Sequence, residues 1–238
     1  MNTLHDTGKS PERLNKFLAR QLGISRREAD VLIENETVMV NHALATLGTR
    51  ITPSDSIDVA GAPVSHKPAA LRYIAFNKPV GYVCSRRAQG NAPTIYSLLP
   101  PKLHTLKPVG RLDKDSSGLL LLTNDGDFAH QMTHPSFYKI KRYLVTLDQP
   151  LQPLHRQMIN DFGVQLPDGP SRLTLERQHD GDDRRWIVQM SEGRNRQIRR
   201  TFAALGYTVT KLHRTDFGNY SIGEIKRGEF QESNLTPN

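Results

Sequence analysis

Gly110-Arg111-Leu112-Asp113-Lys114-Asp115-Ser116-Ser117-Gly118 runs directly into Leu119-Leu120-Leu121-Leu122-Thr123. The leucine run predicts an apolar strand over 119–123, entered from a charged loop. Leu112 can anchor that loop while Arg111 and Asp113 project together. A plain solvated turn explains the same residues on physics alone. A calcium loop is a third reading, with Asp113, Asp115, Ser117 and Gly118 on its first, third, fifth and sixth positions. It fails at the twelfth, where Asn124 replaces the bidentate glutamate, so no metal is expected.

Outward from this junction the pattern is mixed. Strands are expected over 73–76, 143–147, 173–176 and 186–190, and helices over 127–133 and 194–205, the second closed by Gly206. Strands outnumber helices and several lie close together. The expected class is therefore α+β, with a mixed, mainly antiparallel sheet and flanking helices.

The N-terminal part follows a different rhythm. Leu14, Phe17, Leu18 and Leu22 recur at helical spacing until Gly23. Ser25 and Glu28 then form a capping box for a second helix, with Ala29, Leu32 and Ile33 on its buried stripe. Short strands are expected over 37–40 and 56–59. The expected organisation is a flexible tail over 1–10, a small αβ domain over 11–66, a linker over 67–71 and a larger domain over 72–238.

The 238 residues carry 32 Lys+Arg against 24 Asp+Glu, a formal charge of +8 that draws polyanions. No apolar run approaches the roughly 20 residues that span a bilayer, and residues 1–10 lack the apolar core of a secretory signal. Cys84 is the single cysteine, which excludes an intramolecular disulfide and suits a reducing cytoplasm. His130 and His134 stand at metal-binding spacing, but Gln131 occupies the place where a metalloprotease-type motif requires glutamate. A surface or packing role is expected for both.

Two resemblances sharpen this reading. Arg13-Leu14-Asn15-Lys16-Phe17-Leu18, Ser25-Arg26-Arg27-Glu28-Ala29-Asp30 and Val38-Met39-Val40-Asn41 together resemble the small RNA-binding domain of ribosomal protein S-four. That implies RNA phosphates on Arg13, Lys16, Arg20, Arg26 and Arg27; a solvated helix face is the bland alternative. Gly110-Arg111-Leu112-Asp113, Ser117-Gly118-Leu119-Leu120 and Thr123-Asn124-Asp125-Gly126 resemble the catalytic motif of the RsuA/RluB/RluE/RluF family of ribosomal RNA pseudouridine synthases. Asn77-Lys78-Pro79-Val80-Gly81, Lys141-Arg142-Tyr143-Leu144-Val145 and Glu192-Gly193-Arg194-Asn195-Arg196-Gln197-Ile198-Arg199-Arg200 match further motifs of that family in order. Lys211-Leu212-His213-Arg214 resembles a late segment, with Leu212 expected beneath the site.

The resemblance implies an isomerase that breaks the uracil N1–ribose bond and rejoins ribose to C5, without cofactor. Asp113 would be the catalytic carboxylate, Tyr143 the ring stacked on the everted base, and Arg199 the basic partner of the aspartate. Arg111 would fill the space the base leaves, and Lys78, Arg194 and Arg196 would meet RNA. Whether Asp113 attacks ribose or base, or acts as a base, stays open. Tyr143 shares a strand face with Val145 and Leu147, so plain core is its alternative. In the helix from about Arg194, Arg196, Arg199 and Arg200 lie on one face, opposite Ile198, Phe202 and Leu205. The expected partner is a folded stem-loop of ribosomal RNA, more of the large-subunit (23S) type, met by a monomer with neither membrane nor small-molecule cofactor. A non-catalytic ribosome-assembly factor would share the basic surface, and small-subunit (16S) or transfer RNA would suit the same chemistry. A methyltransferase is weaker, since no glycine-rich nucleotide loop follows any expected strand.

Overall fold

The computed structural model describes residues 10–67, 70–86 and 90–232. Apart from Ser10, the expected tail lies outside them, as do Pro68 and Ala69 of the expected linker. The chain forms two compact units, Met1–Leu71 and Arg72–Asn238.

In the first unit, β1 (Glu12–Arg13) leads into α1 (Leu14–Gln21) and α2 (Arg26–Glu34). β2 (Val38–Val40), β3 (Ala43–Leu44), β4 (Arg50–Ile51), β5 (Ile57–Val59) and β6 (Ala62–Pro63) follow. β3-β2-β5-β6 form an antiparallel sheet and β1 pairs with β4. The capping box is formed: the Glu28 N–H donates to Ser25 Oγ at 3.1 Å, and the Ser25 N–H donates to Glu28 Oε2 at 2.6 Å. Leu14, Phe17, Leu18, Ala29 and Ile33 meet Val38, Ile51 and Ile57 in one small core.

The second unit contains β7 (Tyr73–Lys78), β8 (Lys107–Pro108), β9 (Ser117–Thr123), α3 (Gly126–Thr133), β10 (Lys141–Leu147) and α4 (Pro153–Gln157). β11 (Val164–Leu166), β12 (Gly169–Ser171), β13 (Thr174–Arg177), β14 (Arg185–Met190), α5 (Gln197–Ala203), β15 (Val209–Phe217), β16 (Tyr220–Ser221) and β17 (Phe230–Glu232) complete it. The main sheet runs β13-β14-β10-β15-β9-β7-β17, with β16 beside β15 and β8 beside β9. Among the described strands of this sheet, only the β15–β9 pair is parallel. The class is the expected one, α+β with a mixed, mainly antiparallel sheet.

The leucines of β9 explain its central place. Leu120 and Leu122 pack on one face with Ile198 and Phe202 of α5, while Leu119 and Leu121 pack on the other with Phe128 and Met132 of α3. Alternation along a strand sends neighbours to opposite faces, so a continuous apolar run requires cover on both. Each such leucine contributes about 2 kcal/mol by leaving water.

Two of the elements that build the site differ from expectation. The helix expected over 194–205 is regular only in α5, because Arg196 adopts a left-handed conformation (φ 46°) immediately before it. β15, which joins the two halves of the sheet, is not foreseen. Thr210, Lys211, His213, Thr215 and Asp216 give it a polar pattern that hides a buried strand.

Candidate active site

The loop between β8 and β9 is fixed from beneath. Lys78 is fully buried, and its Nζ donates to the carbonyls of Pro79 (3.1 Å), Asp113 (3.0 Å) and Ser116 (2.8 Å). Leu112 is buried; its N–H donates to Cys84 Sγ, and the Cys84 thiol donates to the Leu112 carbonyl, both at 3.4 Å. The Ser116 N–H donates to the Asp113 carbonyl at 3.1 Å, closing a turn. With Leu112 and the carbonyls held inward, Arg111 stays exposed and Asp113 keeps about 33% of its side chain in solvent. The anchoring expected of Leu112 is thus present. Lys78, expected to meet RNA, instead spends its ammonium on three carbonyls beneath the loop. Desolvation lowers its pKa, against the opposing charges of Cys84, Asp113 and Asp115.

This loop borders a cleft of about 1090 Å³ within the second unit, lined among others by Arg111, Asp113, Tyr143, Arg196, Leu212 and Arg214. Tyr143 leaves β10 beside Val145 in the core and keeps 8% of its surface exposed at the cleft wall. Core packing and cleft lining therefore hold together for this ring. Leu212 lies on β15 in the same wall, as expected of a residue beneath the site.

Among the described residues, the guanidinium paired with Asp113 belongs to Arg196. Its Nη1 lies 3.8 Å from Asp113 Oδ2, and both terminal nitrogens donate to the Asp115 carboxylate at 3.0 Å. Arg199 is placed differently from expectation. Its Nη2 donates to the Asp115 carbonyl at 2.9 Å, its Nη1 to the Val209 carbonyl at 2.6 Å, and its Nε lies 3.4 Å from Asp115 Oδ2. Arg199 therefore grips the neighbouring acid and β15, and no ion pair joins it to Asp113 among the described residues. Burial pushes the Asp115 carboxyl up, but the Arg196 hydrogen bonds and the charges of Arg199 and Arg196 hold it below the usual carboxylate range.

Two arginines expected on RNA are occupied elsewhere. Arg194 donates to the carbonyls of Asp168, Gly169 and Pro170 and to the Asp168 carboxylate, pinning the β11–β12 hairpin. Arg20 forms a two-pronged pair with Glu12 (3.1 and 2.8 Å) and lies over the Phe17 ring. Both spend their fork of donors on the protein itself. Arg13, Arg26 and Arg27 remain exposed on the first unit, with Arg26 donating to Asn15 Oδ1 at 3.1 Å, and Lys16 is half-buried on α1. His130 and His134 stack at 4.7 Å, and His134 bonds Ser136.

Sequence reasoning gave no role to Asp115 or Arg214. Asp115 stands in the decisive loop, and its proximity to two arginines arises only when α5 folds over it. Arg214 offers two cues, its place in the late segment Lys211-Leu212-His213-Arg214 and its spacing of two from the apolar Leu212.

The sequence and fold match known proteins. The RNA pseudouridylate synthase family matches residues 72–204, and the S4 domain matches residues 12–57. The ribosomal large subunit pseudouridine synthase B of Pseudomonas aeruginosa is 36% identical over 96% of this chain and 62% of its own length. The ribosomal small subunit pseudouridine synthase A of Yersinia pestis is also 36% identical, over 92% of this chain and 93% of its own. A solved pseudouridylate synthase superposes with a TM-score of 0.67 at 34% identity, covering 93% of this chain and 95% of that one. The chain belongs to the RNA pseudouridylate synthase family. Its first unit is of the S4 type.

Proposed function

We propose that the protein converts a specific uridine of ribosomal RNA to pseudouridine, with Asp113 as the essential carboxylate. The observation that carries this reading is the placement of Asp113: raised into a cleft by a buried leucine and a buried lysine, with the Tyr143 ring in the same wall. Asp113 acts as nucleophile or base on the everted nucleotide. Tyr143 stacks on the uracil, and Arg111, exposed beside Asp113, fills the space left in the RNA helix. Arg196 orients Asp113, and Arg199 supports it through Asp115. The reaction moves a base within one nucleotide, so the chemistry calls for no oxidant, donor or cofactor.

Arg13, Lys16, Arg26 and Arg27 hold phosphates of the stem-loop and position it without reading its sequence. The protein works as a monomer in the cytoplasm; none of the helices in its described residues is long and apolar enough to cross a membrane. We infer large-subunit RNA as the target from the Arg194–Arg200 segment, since relatives named for either subunit stand at the same identity. Incubation with transcripts of each ribosomal RNA, followed by pseudouridine mapping, tests the reading. Conversion of one uridine in large-subunit RNA is expected. Conversion confined to small-subunit RNA would move the target, and none in any ribosomal RNA would overturn the reading.

A further inference from the structure

Arg214 sits near the middle of the main sheet with only 2% of its surface exposed. On one side its cross-strand partner is Tyr143 of β10, and on the other Gly118 of β9. Residues paired directly across an antiparallel ladder point to the same face, so Arg214 and the Tyr143 ring stand side by side, and both line the cleft. The register shifts between Arg142 and Tyr143, leaving Thr215 as an extra residue on β15. Beyond that irregularity the Phe217 ring lies against the guanidinium, 4.8 Å from Cζ to the ring centroid.

A guanidinium taken out of water costs several kcal/mol unless an anion and hydrogen bonds compensate it. Here they compensate little. Arg214 Nε donates to the Leu119 carbonyl at 2.8 Å, but Nη2 is buried without a hydrogen-bond partner. No carboxylate pairs with Arg214 among the described residues. A second cation shares its ring: Lys141 Nζ lies 5.3 Å from the Phe217 centroid, held by the carbonyls of Ser191 (2.9 Å) and Glu192 (3.1 Å). Burial, and then the charge of Arg214, bring the Lys141 pKa down to about 8. A purely structural position would favour a neutral or paired side chain. Two cations on one ring at a cleft, one with donor capacity unspent, suit an acceptor that arrives with the substrate.

We propose that Arg214 is a further catalytic residue, donating through its terminal nitrogens to a carbonyl oxygen of the everted uracil and stabilising the negative charge on the detached base. The assignment rests on the synthase reading. When the N1–C1′ bond breaks, its electron pair stays on N1 and spreads over O2 and O4. C5 then bonds to C1′, the C5 proton leaves and N1 takes one up, with nothing oxidised or reduced. Tyr143 meets the face of the base and Arg214 its edge. Because this charge exists only after cleavage, the interaction accelerates the reaction more than it tightens binding.

The test uses the full chain and an RNA that the wild type modifies. Single-turnover rate at saturating RNA, RNA affinity and thermal midpoint are measured for Arg214→Gln, Arg214→Lys and Arg214→Ala, the last with and without methylguanidinium. Arg214→Gln is expected to lose on the order of 10²–10³-fold in rate at near-wild-type affinity. Methylguanidinium is expected to restore Arg214→Ala in part and to do nothing for Asp113→Asn. Should Arg214→Ala fail to fold, Arg214→Lys and Arg214→Gln decide by the same split between rate and affinity. Wild-type rates in the folded variants, or losses that follow RNA affinity and its salt dependence, would overturn the assignment and, in the second case, indicate a phosphate contact. A wild-type protein that modifies no uridine at all would instead remove the synthase reading.

Discussion

The ammonium of Lys78 donates to the main-chain carbonyl of Asp113 at 3.0 Å, so the residue presenting the carboxylate is tied to β7 through a fully buried charge. Lys78→Met keeps the stem but leaves the carbonyls of Pro79, Asp113 and Ser116 without their donor. The expected cost is about 2–4 kcal/mol of stability, read from denaturant unfolding. Activity is expected to fall further than RNA affinity, because the loop loses its fixed aim. Wild-type stability in Lys78→Met would show that the clamp contributes nothing.

At Gly118 the backbone of β9 lies tight against that of β15. Gly118 has φ +108°, and a Cβ placed there would lie 2.2 Å from the Arg214 carbonyl oxygen and 2.5 Å from its nitrogen. Gly118→Ala therefore forces apart the single parallel pair of the sheet. The expected loss is about 3 kcal/mol or more, seen as a large drop in thermal midpoint or in soluble yield. A variant with the wild-type midpoint would contradict the packing described.

On the first unit, Arg26 and Arg27 stand exposed at the start of α2. Replacing both by alanine is expected to weaken RNA binding for all RNA sequences alike and to lower the salt slope by roughly two charges. Single-turnover conversion at saturating RNA is expected to be unchanged. A change in rate without a change in affinity would count against a positioning role.

Lys141 gives a pH signature. Its folded pKa of about 8 lies below the usual lysine value of 10.5 because of burial and Arg214. Below pH 8 both folded and unfolded chains carry the proton, and the folded state bears the full cost of the buried charge. Between pH 8 and 10.5 the unfolded chain binds more protons, so stability rises with pH through this window. Unfolding free energies of wild type and Lys141→Met across pH 7–11 check this. The wild type is expected to gain on the variant above pH 8, and parallel curves would contradict it.

Much of this architecture was legible in the residues. The leucines of β9, the Ser25–Glu28 capping box and the alternation Tyr143, Val145, Leu147 each state a local preference that the tertiary structure keeps. Placement of Asp113 beside a buried Leu112 was legible for the same reason. Lys78, Arg194 and Arg214 were not, because a sequence displays charges but not the carbonyl oxygens that receive them. A basic side chain reads as solvent- or RNA-facing until the backbone acceptors around it are known. β15 was missed on the same ground, since its buried arginine and outward polar residues imitate a loop. The pairing of Arg199 with Asp115 rather than Asp113 depends on where α5 meets the loop, which no local pattern encodes.

The most direct measurement compares Asp113→Asn with wild type in single-turnover conversion of uridine at saturating ribosomal RNA, with affinity measured alongside. The substitution keeps shape and the clamped backbone while removing the carboxylate charge. Conversion is expected to fall on the order of 10⁴-fold or more, with RNA affinity retained. Conversion by Asp113→Asn at the wild-type rate would contradict the account.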